Sequence, residues 1–475
     1  MPELTASLAA AGQAHLALAL ERLQGEARAR LAAEIGAVDL ALVRASLAAS
    51  DHVDVSAAEP YPWIDRGRRA AEDADAVATG WAALRAGKAA ALLMAGGSGT
   101  RLGWSGPKGT FPVYSDPSAP LPSTSLPSTS LGAGGAGGTT LYAFHARKVA
   151  RMAELAGVRI PLAIMLSDET SASTRAFFAE HGFFGLDAAD VLFFEQGTLP
   201  AVDADGRLLL AAPDRLTAFP DGHGGIYRAL ERSGTAAALA SRGVAHVFVF
   251  QVDNPLAPVL DPAFVGYHVR EGSEFSFVGL RKNAPEEKVA VFAVQPDGTP
   301  VIVEYIALPP RFVAEWERFA AGNPAIYLLD LAFMRRMAVE GGLVPHRSRK
   351  KVPFWDPAAG AVSPSEPNAF KLEALLFDAM PRARKTVVME DLRLASFAPI
   401  KNPDGVDSAV SARELLTARG RELLAAAGYP VGALPEGRPV ELAPEWLVDP
   451  TGLAAEVAAG RLPAPDGPGP LRVPA

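Results

Sequence analysis

Cysteine is absent from this chain of 475 residues. Its absence excludes disulfide bonds, metal sites built from thiolates and a cysteine nucleophile. It does not decide the cellular compartment, because an alanine-rich chain can lack cysteine wherever it works.

An excess of positive charge is also absent. Lys and Arg together number 45, whereas Asp and Glu number 53, which gives a formal net charge of −8. Binding to nucleic acid depends largely on basic side chains that neutralise phosphates, so no nucleic-acid partner is expected. Any site for a phosphorylated ligand must be a local positive patch on an acidic protein.

Long hydrophobic runs are missing as well. No stretch reaches the roughly eighteen consecutive apolar residues of a membrane-spanning helix. The N-terminus carries Glu3 ahead of its apolar residues, rather than the basic residues that begin a signal peptide. We expect a soluble, cytoplasmic protein with no membrane partner.

The sequence does contain a glycine-rich segment directly after a short apolar run. The run, Ala89–Met94, has the length of a buried strand, and Ala95 is followed by Gly96, Gly97 and Gly99. We expect positive φ at these glycines, because only a residue without Cβ adopts it freely. Successive backbone N–H groups in such a turn form an anion-binding concavity.

Two cationic residues follow this turn. Arg101 and Lys108 place fixed positive charge beside the amides, so the segment is predicted to hold a polyphosphate. The alternative is a tight strand-to-helix turn with no ligand. Neither common nucleotide motif is present, since no Lys-Ser or Lys-Thr pair follows the glycines and Leu102 occupies the third position of GxGxxG.

Strand and helix patterns alternate through the middle of the chain and predict an α/β fold. After the glycine segment they are strand 162–166, helix 169–181, strand 191–196, helix 225–239 and strand 246–253. Such alternation implies right-handed crossovers and a mostly parallel sheet. Ligands bind at the carboxyl ends of such strands, where Gln196 and Asp253 are expected.

Other segments have simpler patterns. Residues 3–50 and 68–85 have helical spacing, residues 288–308 predict a β-hairpin, and a closing helix is expected over 413–427. Residues 115–138 contain LPSTS twice and a glycine-rich end, which permits a lid over the phosphate turn or an idle insertion. The Pro- and Gly-rich tail from Pro430 is expected to be draped or partly disordered.

Several motifs also occur in the order and spacing of one family. AGGSGTRLG with PKG, FFEQGTLPA, PDGHGGIYRAL and VFVFQVDN resemble the GG-x-GTR-L-G…PKG, FxQG-x-LPA, PDG-N-GG-YRAL and VDN segments of the UDP-sugar pyrophosphorylase family of the UDPGP type. The resemblance favours the UDP-N-acetylglucosamine pyrophosphorylase branch and covers about Lys88 to Arg413.

That resemblance implies a fold and a domain organisation. The fold would be a doubly wound, mostly parallel sheet of the nucleotide-diphospho-sugar transferase (GT-A-like) kind. An N-terminal helical segment would occupy residues 1–80, a catalytic nucleotidyltransferase domain 81–400 and a small C-terminal region 401–475. A sugar-binding β subregion would lie at about 272–330.

The resemblance further implies a reaction. UTP and a sugar-1-phosphate, with N-acetylglucosamine-1-phosphate as the first choice, would give a UDP-sugar and pyrophosphate with the help of Mg²⁺. The implied catalytic residues are Arg101, Lys108 and Lys401. Asp253 would hold the metal, a role for which a single carboxylate beside phosphates suffices, although an aspartate after a strand is often only a helix cap.

The remaining site residues come from the same resemblance. Those implied to bind the nucleotide are Ala95, Gly96, Gly97, Gly99, Thr100, Gln196 and Gly222. Those implied to face the sugar are His223, Ala290, Glu304 and Tyr305. For Glu304, a solvent-facing position on an edge strand is the alternative.

The chain departs from the family pattern around the sugar. His223 replaces an asparagine and resembles the GHG of UDP-glucose pyrophosphorylases, Ala290 replaces a glycine, and Ile326 replaces a sugar-contacting asparagine. A UDP-glucose or broad-specificity UDP-sugar pyrophosphorylase is therefore one alternative. A non-catalytic regulatory protein that binds a nucleotide sugar is the other.

Overall fold

The computed structural model describes residues 7–49, 54–114, 139–340, 343–357, 359–465, 467 and 469–475. The possible lid over 115–138 lies outside the described residues. The chain divides into a smaller compact unit of Met1–Asp54, Gln196–Ala229 and Met337–Ala379, and a larger one of Val55–Glu195, Leu230–Arg336 and Met380–Ala475. This grouping does not test the predicted boundaries near residues 80 and 400, which stay a prediction.

The strands are numbered in chain order. They are β1 Glu59–Pro60, β2 Ala89–Met94, β3 Leu162–Leu166, β4 Val191–Glu195, β5 Thr198–Pro200, β6 Val202–Asp203, β7 Leu210–Ala212, β8 Arg215–Leu216, β9 Ala218–Pro220, β10 His246–Gln251, β11 Phe275–Arg281, β12 Val291–Val294, β13 Pro300–Val303, β14 Ala321–Gly322, β15 Tyr327–Asp330, β16 His346–Lys350, β17 Phe354–Asp356, β18 Gly360–Val362, β19 Ala369–Glu373, β20 Thr386–Asp391, β21 Val440–Leu442 and β22 Leu471–Val473.

The α-helices of five or more residues in the described part of the chain are given next. They are Ala14–Arg22, Gly25–Gly36, Leu40–Ala48, Arg66–Arg85, Leu141–Ala156, Asp168–Glu180, Ile226–Arg232, Thr235–Ser241, Pro262–Glu271, Pro310–Ala314, Leu331–Val339, Ala409–Ala426 and Pro450–Ala458. Among the described residues, no helix combines the length and the apolar character needed to cross a bilayer.

A mixed sheet forms the centre of the larger unit. Its strand order is β1-β12-β14-β11-β15-β10-β2-β3-β4, with β13 beside β12 and β20 beside β11. The neighbours β10, β2, β3 and β4 are parallel, as the alternating pattern predicts. On the other side of β10, β15 pairs antiparallel with both β10 and β11, so the four parallel strands form one side of the sheet, up to the edge strand β4, and the parallel arrangement does not extend through the whole sheet.

Most of the predicted elements of this part of the chain are present, but several differ from the prediction. Strand β4 ends at Glu195, so Gln196 lies just beyond the strand that was predicted to include it. Strands β2 and β3 have the predicted bounds, and β12 and β13 form the predicted hairpin. The single helix predicted over 225–239 is wrong, because Gly234 adopts a left-handed φ of 77° and separates Ile226–Arg232 from Thr235–Ser241. Strand β10 ends at Gln251, so Asp253 lies in the following turn rather than in the strand.

The C-terminal tail is more ordered than its composition suggests. Strand β21 pairs in parallel with β22, and the helix Pro450–Ala458 follows the short turn that contains Trp446. Trp446 and Leu453 lie in a buried apolar cluster with residues of the helix Ala409–Ala426. The expectation of a draped or partly disordered tail is therefore wrong for its described residues, because proline and glycine content hid the regularly placed apolar side chains.

The smaller unit joins helices to short antiparallel strands. The predicted N-terminal helices are present at Ala14–Arg22, Gly25–Gly36 and Leu40–Ala48. Their apolar faces contribute to one buried cluster with side chains of β6, β7 and β19, including Val202 and Leu372. Three separate segments of the chain thus share one core in this unit.

Candidate active site

The glycine segment starts at the carboxyl end of the buried strand β2. The N–H of Ala95 donates to the carbonyl oxygen of Met165 at 2.8 Å, and the N–H of Val252 donates to that of Met94 at 3.1 Å. These bonds hold together the ends of β3, β2 and β10. The carboxyl ends of three neighbouring parallel strands therefore frame the segment, which is the place where ligands bind in such sheets.

Two backbone hydrogen bonds fold the segment into a loop. The N–H of Gly99 donates to Gly106 O at 2.8 Å, and the N–H of Lys108 donates to Gly97 O at 3.1 Å. Within the described part of the chain, the N–H groups of Gly97 and Ser98 donate to no acceptor. Such amides can bind an anion without breaking an existing bond.

The structural reason for glycine in this loop differs from the predicted one. The expectation of positive φ is wrong for Gly96, Gly97 and Gly99, none of which is left-handed. The left-handed residue of the loop is Gly103, with a φ of 69°. A Cβ on Gly99 would lie 2.7 Å from the Cβ of Trp104. Close approach of the Trp104 side chain, rather than an unusual backbone conformation, therefore requires glycine at this position.

The two cations of the loop have different surroundings. Arg101 is exposed and forms no ion pair with any described residue, and Thr100 beside it contacts Ser98 through their hydroxyl oxygens at 3.2 Å. The ammonium of Lys108 lies 2.9 Å from Oδ2 of Asp253, and both side chains are mostly buried. The predicted catalytic lysine and the predicted metal ligand are therefore in direct contact.

The turn that carries Asp253 is bonded to the segment that leads into the predicted catalytic residue Lys401. The carbonyl oxygen of Asp253 accepts from the N–H of Ile400 at 2.9 Å. The adjacent Asn254 donates through Nδ2 to Ser396 O at 2.7 Å and accepts from the N–H of Ala398 at 3.0 Å. The asparagine of the VDN motif thus positions the lysine segment, a role that the sequence analysis did not assign.

Lys401 itself is bonded through its backbone to Asp407. Its N–H donates to the carbonyl oxygen of Asp407 at 2.6 Å, and its Nζ is 5.6 Å from the centroid of the Phe397 ring. Burial raises the pKa of the Asp407 carboxyl, and the positive charge of Lys401 partly opposes this. Asp407 was not singled out from the sequence, because its bond to Lys401 joins two backbone groups and no side-chain pattern marks it.

Two buried basic residues support the Asp253 turn from the helix Leu141–Ala156. Nε2 of His145 donates to Val252 O at 3.0 Å, and Nζ of Lys148 donates to Pro255 O at 2.8 Å and Ala257 O at 2.7 Å. Burial lowers the pKa of both side chains, to about 7 for Lys148. Their bonds satisfy carbonyl groups that would otherwise be buried without a partner.

The chemistry of this site suits a hard divalent cation. Oδ1 of Asp253 is buried and accepts no hydrogen bond from the described residues, whereas Oδ2 faces Lys108. Mg²⁺ prefers oxygen ligands and commonly takes one or two carboxylates, with phosphates and water completing its shell. The residues present therefore fit the predicted metal.

The smaller unit contains the residues predicted to recognise the base. The N–H of Asp221 donates to Gly197 O at 3.0 Å, which places Gln196 and Gly222 on adjacent segments. Gly222 has a φ of 81°, and a Cβ there would lie 2.4 Å from the carbonyl oxygen of Ala374. Glycine is thus required at this position by both backbone conformation and close contact.

His223 follows directly and has a defined protonation state. Its Nδ1 accepts a hydrogen bond from the N–H of Leu376 at 2.8 Å, and burial lowers its pKa to about 4. A neutral ring whose Nδ1 is an acceptor must carry its proton on Nε2. His223 therefore offers its surroundings a hydrogen-bond donor, whereas an asparagine offers both a donor and an acceptor.

The predicted sugar residues of the larger unit are more scattered. Ala290 is buried, and its carbonyl oxygen accepts from the N–H of Asn323 at 2.8 Å. Glu304 follows β13 and precedes a short 3₁₀ turn at Tyr305–Ala307, so it is not in an edge strand. Tyr305 is 44% exposed, whereas the Ile326 side chain is only 1% exposed and belongs to the main core.

The structure thus groups the predicted residues within each unit. In the larger unit it joins the glycine loop, Lys108, Asp253 and the segment of Lys401. In the smaller unit it places Gln196, Gly222 and His223 on bonded segments. The roles assigned to all of these residues stay predictions.

Comparison with known proteins identifies similar chains. A family model described as UTP--glucose-1-phosphate uridylyltransferase matches residues 133–406. Human UDP-N-acetylhexosamine pyrophosphorylase-like protein 1 is 35% identical over 444 residues, which cover 87% of this chain and 83% of the human protein. UDP-N-acetylglucosamine pyrophosphorylase of Saccharomyces cerevisiae is 33% identical over 340 residues, which cover 69% of this chain and 67% of the yeast protein.

A solved structure agrees over almost the whole chain. The uridine diphosphate N-acetylglucosamine pyrophosphorylase from Trypanosoma brucei, crystallised with an inhibitor, superposes with a TM-score of 0.77 at 27% identity. The match covers 98% of this chain and 96% of the trypanosomal one.

Proposed function

The chain belongs to the UDP-sugar pyrophosphorylase family, and we propose that it makes UDP-N-acetylglucosamine and pyrophosphate from UTP and N-acetylglucosamine-1-phosphate. The observation that carries this proposal is the contact between Lys108 and Asp253 beside a loop with unpaired amides. A fixed cation, a carboxylate suited to Mg²⁺ and free N–H groups are what transfer of a nucleotidyl group from a triphosphate needs.

The proposed reaction requires no covalent intermediate on the protein. A phosphate oxygen of the sugar-1-phosphate attacks the α-phosphorus of UTP. The new P–O bond forms as the bond from the α-phosphorus to the bridging oxygen breaks, and the electron pair leaves on pyrophosphate. Since the nucleophile is already an anion, catalysis consists of positioning and charge stabilisation rather than proton removal.

The residues of the larger unit divide these tasks. The loop amides, Arg101 and Lys108 bind the β- and γ-phosphates, where negative charge increases as pyrophosphate leaves. Lys401 attracts the incoming sugar phosphate, and the bonds made by Asn254 fix the segment that carries it. Asp253 holds Mg²⁺, which when bound neutralises phosphate charge.

The resemblance assigns base and sugar recognition to other residues. Gln196 and Gly222 are proposed to read the uracil edge, and His223, Ala290, Glu304 and Tyr305 to face the sugar. We also assign the central sheet to the GT-A-like, doubly wound kind and the protein to the cytoplasm. Ile326 is excluded from sugar contact because its side chain is buried in the core.

A second candidate, a UDP-glucose pyrophosphorylase, is favoured by His223. The imidazole presents only a donor, so it satisfies a sugar hydroxyl but not both hydrogen-bonding groups of an acetamido substituent. Sites built for particular polar groups reject substrates that lack them strongly, so a substrate panel distinguishes the two candidates.

The test follows pyrophosphate release from UTP and Mg²⁺ with the 1-phosphates of N-acetylglucosamine, N-acetylgalactosamine, glucose and galactose. We expect the highest kcat/KM with N-acetylglucosamine-1-phosphate, and a further shift toward acetylated sugars in His223→Asn. A preference for glucose-1-phosphate would replace the first proposal with the second. Binding of UDP-sugars by folded protein without any turnover would favour a regulatory protein instead.

A further inference from the structure

Three metal-ligating side chains converge in the larger unit, away from the proposed active site. Nδ1 of His246 lies 2.8 Å from Oδ1 of Asp330, and Nε2 of His268 lies 3.0 Å from the same oxygen. The two ring nitrogens are 3.2 Å apart. Ligand atoms around a tetrahedral zinc ion are about 3.3 Å apart, given bonds of roughly 2.0 Å. The three atoms therefore already lie near the spacing of a metal site.

We propose that His246, His268 and Asp330 bind a divalent transition-metal ion of the zinc class. Two imidazole nitrogens and one carboxylate oxygen suit such an ion, whereas Mg²⁺ prefers oxygen ligands alone. The site is separate from the proposed Mg²⁺ site. His246 is the first residue of β10, whereas Asp253 lies beyond the last residue of that strand.

Three elements of the fold bring the ligands together. Strands β10 and β15 are antiparallel, and their register places His246 directly opposite Asp330. His268 projects from the helix Pro262–Glu271. The three ligands therefore come from rigid secondary structure rather than from loops, which favours a site of fixed geometry.

A chain of hydroxyl groups orients the His268 ring. Ser273 donates to the carbonyl oxygen of Lys385 at 3.3 Å, and Ser276 donates to Ser273 at 2.8 Å. The Ser276 oxygen then remains as the acceptor for Nδ1–H of His268, at 2.8 Å. In a neutral ring with its proton on Nδ1, Nε2 carries a lone pair.

That lone pair faces the carboxylate oxygen of Asp330. Two lone pairs at 3.0 Å repel each other, and a bound cation between them turns this repulsion into attraction. The second ring N–H of a metal-bound histidine is usually donated to another group, which is the arrangement that Ser276 provides. The hydroxyl chain thus prepares His268 to act as a ligand.

The site has room for further ligands. The His268 side chain is fully buried, but the side chains of His246 and Asp330 are 18% and 32% exposed. Solvent can therefore reach the ion, and water can complete its coordination. The alternative is a metal-free cluster in which Nδ1–H of His246 is shared between Asp330 and His268.

The test measures zinc content and affinity on the full chain, without an affinity tag, after treatment with a chelator. Millimolar Mg²⁺ is kept present so that the Asp253 site is occupied. We expect one Zn²⁺ per chain by elemental analysis, saturable binding by calorimetry and a higher melting temperature with Zn²⁺. Asp330→Asn and His246→Asn should each weaken binding by about tenfold or more, since even outer partners of metal ligands contribute roughly 10- to 100-fold.

His346→Asn supplies the matched control. His346 pairs with Asp378 at 2.8 Å, and among the described residues no third ligand joins that pair. This variant and Asp253→Asn should retain zinc at wild-type affinity. Because binding rather than uridylyl transfer is measured, the outcome is independent of the proposed function.

The contrary results are equally specific. Zinc below one equivalent in the wild-type protein, or equal affinity in Asp330→Asn and His246→Asn, would overturn the proposal. If either variant fails to fold, the other decides. If both fail, cobalt absorption in the wild-type protein decides: visible bands that Zn²⁺ abolishes support the site, and their absence overturns it.

Discussion

At the scale of single residues, the central feature is the carboxylate of Asp253. One of its oxygens faces Lys108, and the other is buried without a hydrogen-bond donor from the described residues. An ion pair alone does not explain the second oxygen, because buried polar atoms normally have a partner. The Mg²⁺ ion proposed to accompany the triphosphate would supply that partner.

Asp253→Asn should therefore raise the Mg²⁺ concentration needed for half-maximal activity. The amide keeps one oxygen but removes the charge that attracts the ion. The measurement is pyrophosphate release as a function of Mg²⁺, with Asp404→Asn, an exposed carboxylate near Lys401, as control. A Mg²⁺ dependence equal to that of the wild type would show that Asp253 has only a structural role.

Lys148 leads to a prediction about stability and pH. Burial lowers its pKa to about 7 in the folded protein, while the unfolded chain has the ordinary value of 10.5. Between these values the unfolded state binds a proton that the folded state has released, so rising pH favours folding. We expect the stability difference between the wild type and Lys148→Met to increase from pH 7 to pH 9, by at most about 1.4 kcal/mol per pH unit.

Urea unfolding at pH 7, 8 and 9 measures this difference directly. The variant also loses bonds to Pro255 O and Ala257 O, so it should be less stable at every pH. A difference that stays constant with pH would mean that Lys148 keeps an ordinary pKa in the folded protein.

The sequence predicts some residues of this candidate site but not others. The short motifs that contain Arg101, Lys108 and Asp253 lie beside glycines or just after a strand. A charged side chain in such a place indicates a ligand-binding site. Asn254 and Lys148 act through bonds to distant backbone carbonyls, which no local pattern reveals.

At the scale of elements, two glycines in and after the glycine loop differ in the space around them. A Cβ on Gly109 would lie 2.2 Å from the ring of Tyr142, which is completely buried. A Cβ on Gly97 would meet no heavy atom within 4 Å. The first position is therefore restricted by internal contacts, whereas the second faces open space beside the loop amides.

The two alanine variants should separate stability from binding. Gly109→Ala should lower the free energy of unfolding by about 1–3 kcal/mol, the usual cost of overpacking. Gly97→Ala should leave the melting temperature unchanged but raise the KM for UTP, because its methyl group obstructs the amides. Thermal melts and steady-state kinetics on both variants check this, and a UTP KM equal to that of the wild type in Gly97→Ala would remove the loop from phosphate binding.

The elements also show where sequence patterns succeed. The apolar runs of β2 and β3 are buried, and their bounds were predicted because nothing else in the sequence competes with a strand there. The break at Gly234 was missed because a single glycine is tolerated within a helical pattern. The antiparallel position of β15 depends on a long-range pairing with β10 that periodicity does not encode.

At the scale of the whole molecule, local patterns identified the family and the central fold but not the compact units. Each unit is assembled from three separate segments. The tail shows the same limit, since Trp446 and Leu453 form a buried cluster within a stretch whose composition suggested disorder. Contacts between distant segments determine these features, and amino-acid composition contains no information about such contacts.

The proposed reaction is tested most sharply by kcat for pyrophosphate release from UTP and N-acetylglucosamine-1-phosphate in Lys108→Ala. We expect a fall of about 10² or more relative to the wild type, with little change in melting temperature, because the proposed role of this lysine is to stabilise the charge that develops as pyrophosphate leaves. An unchanged kcat in the folded variant would contradict the proposed role of the Lys108–Asp253 pair.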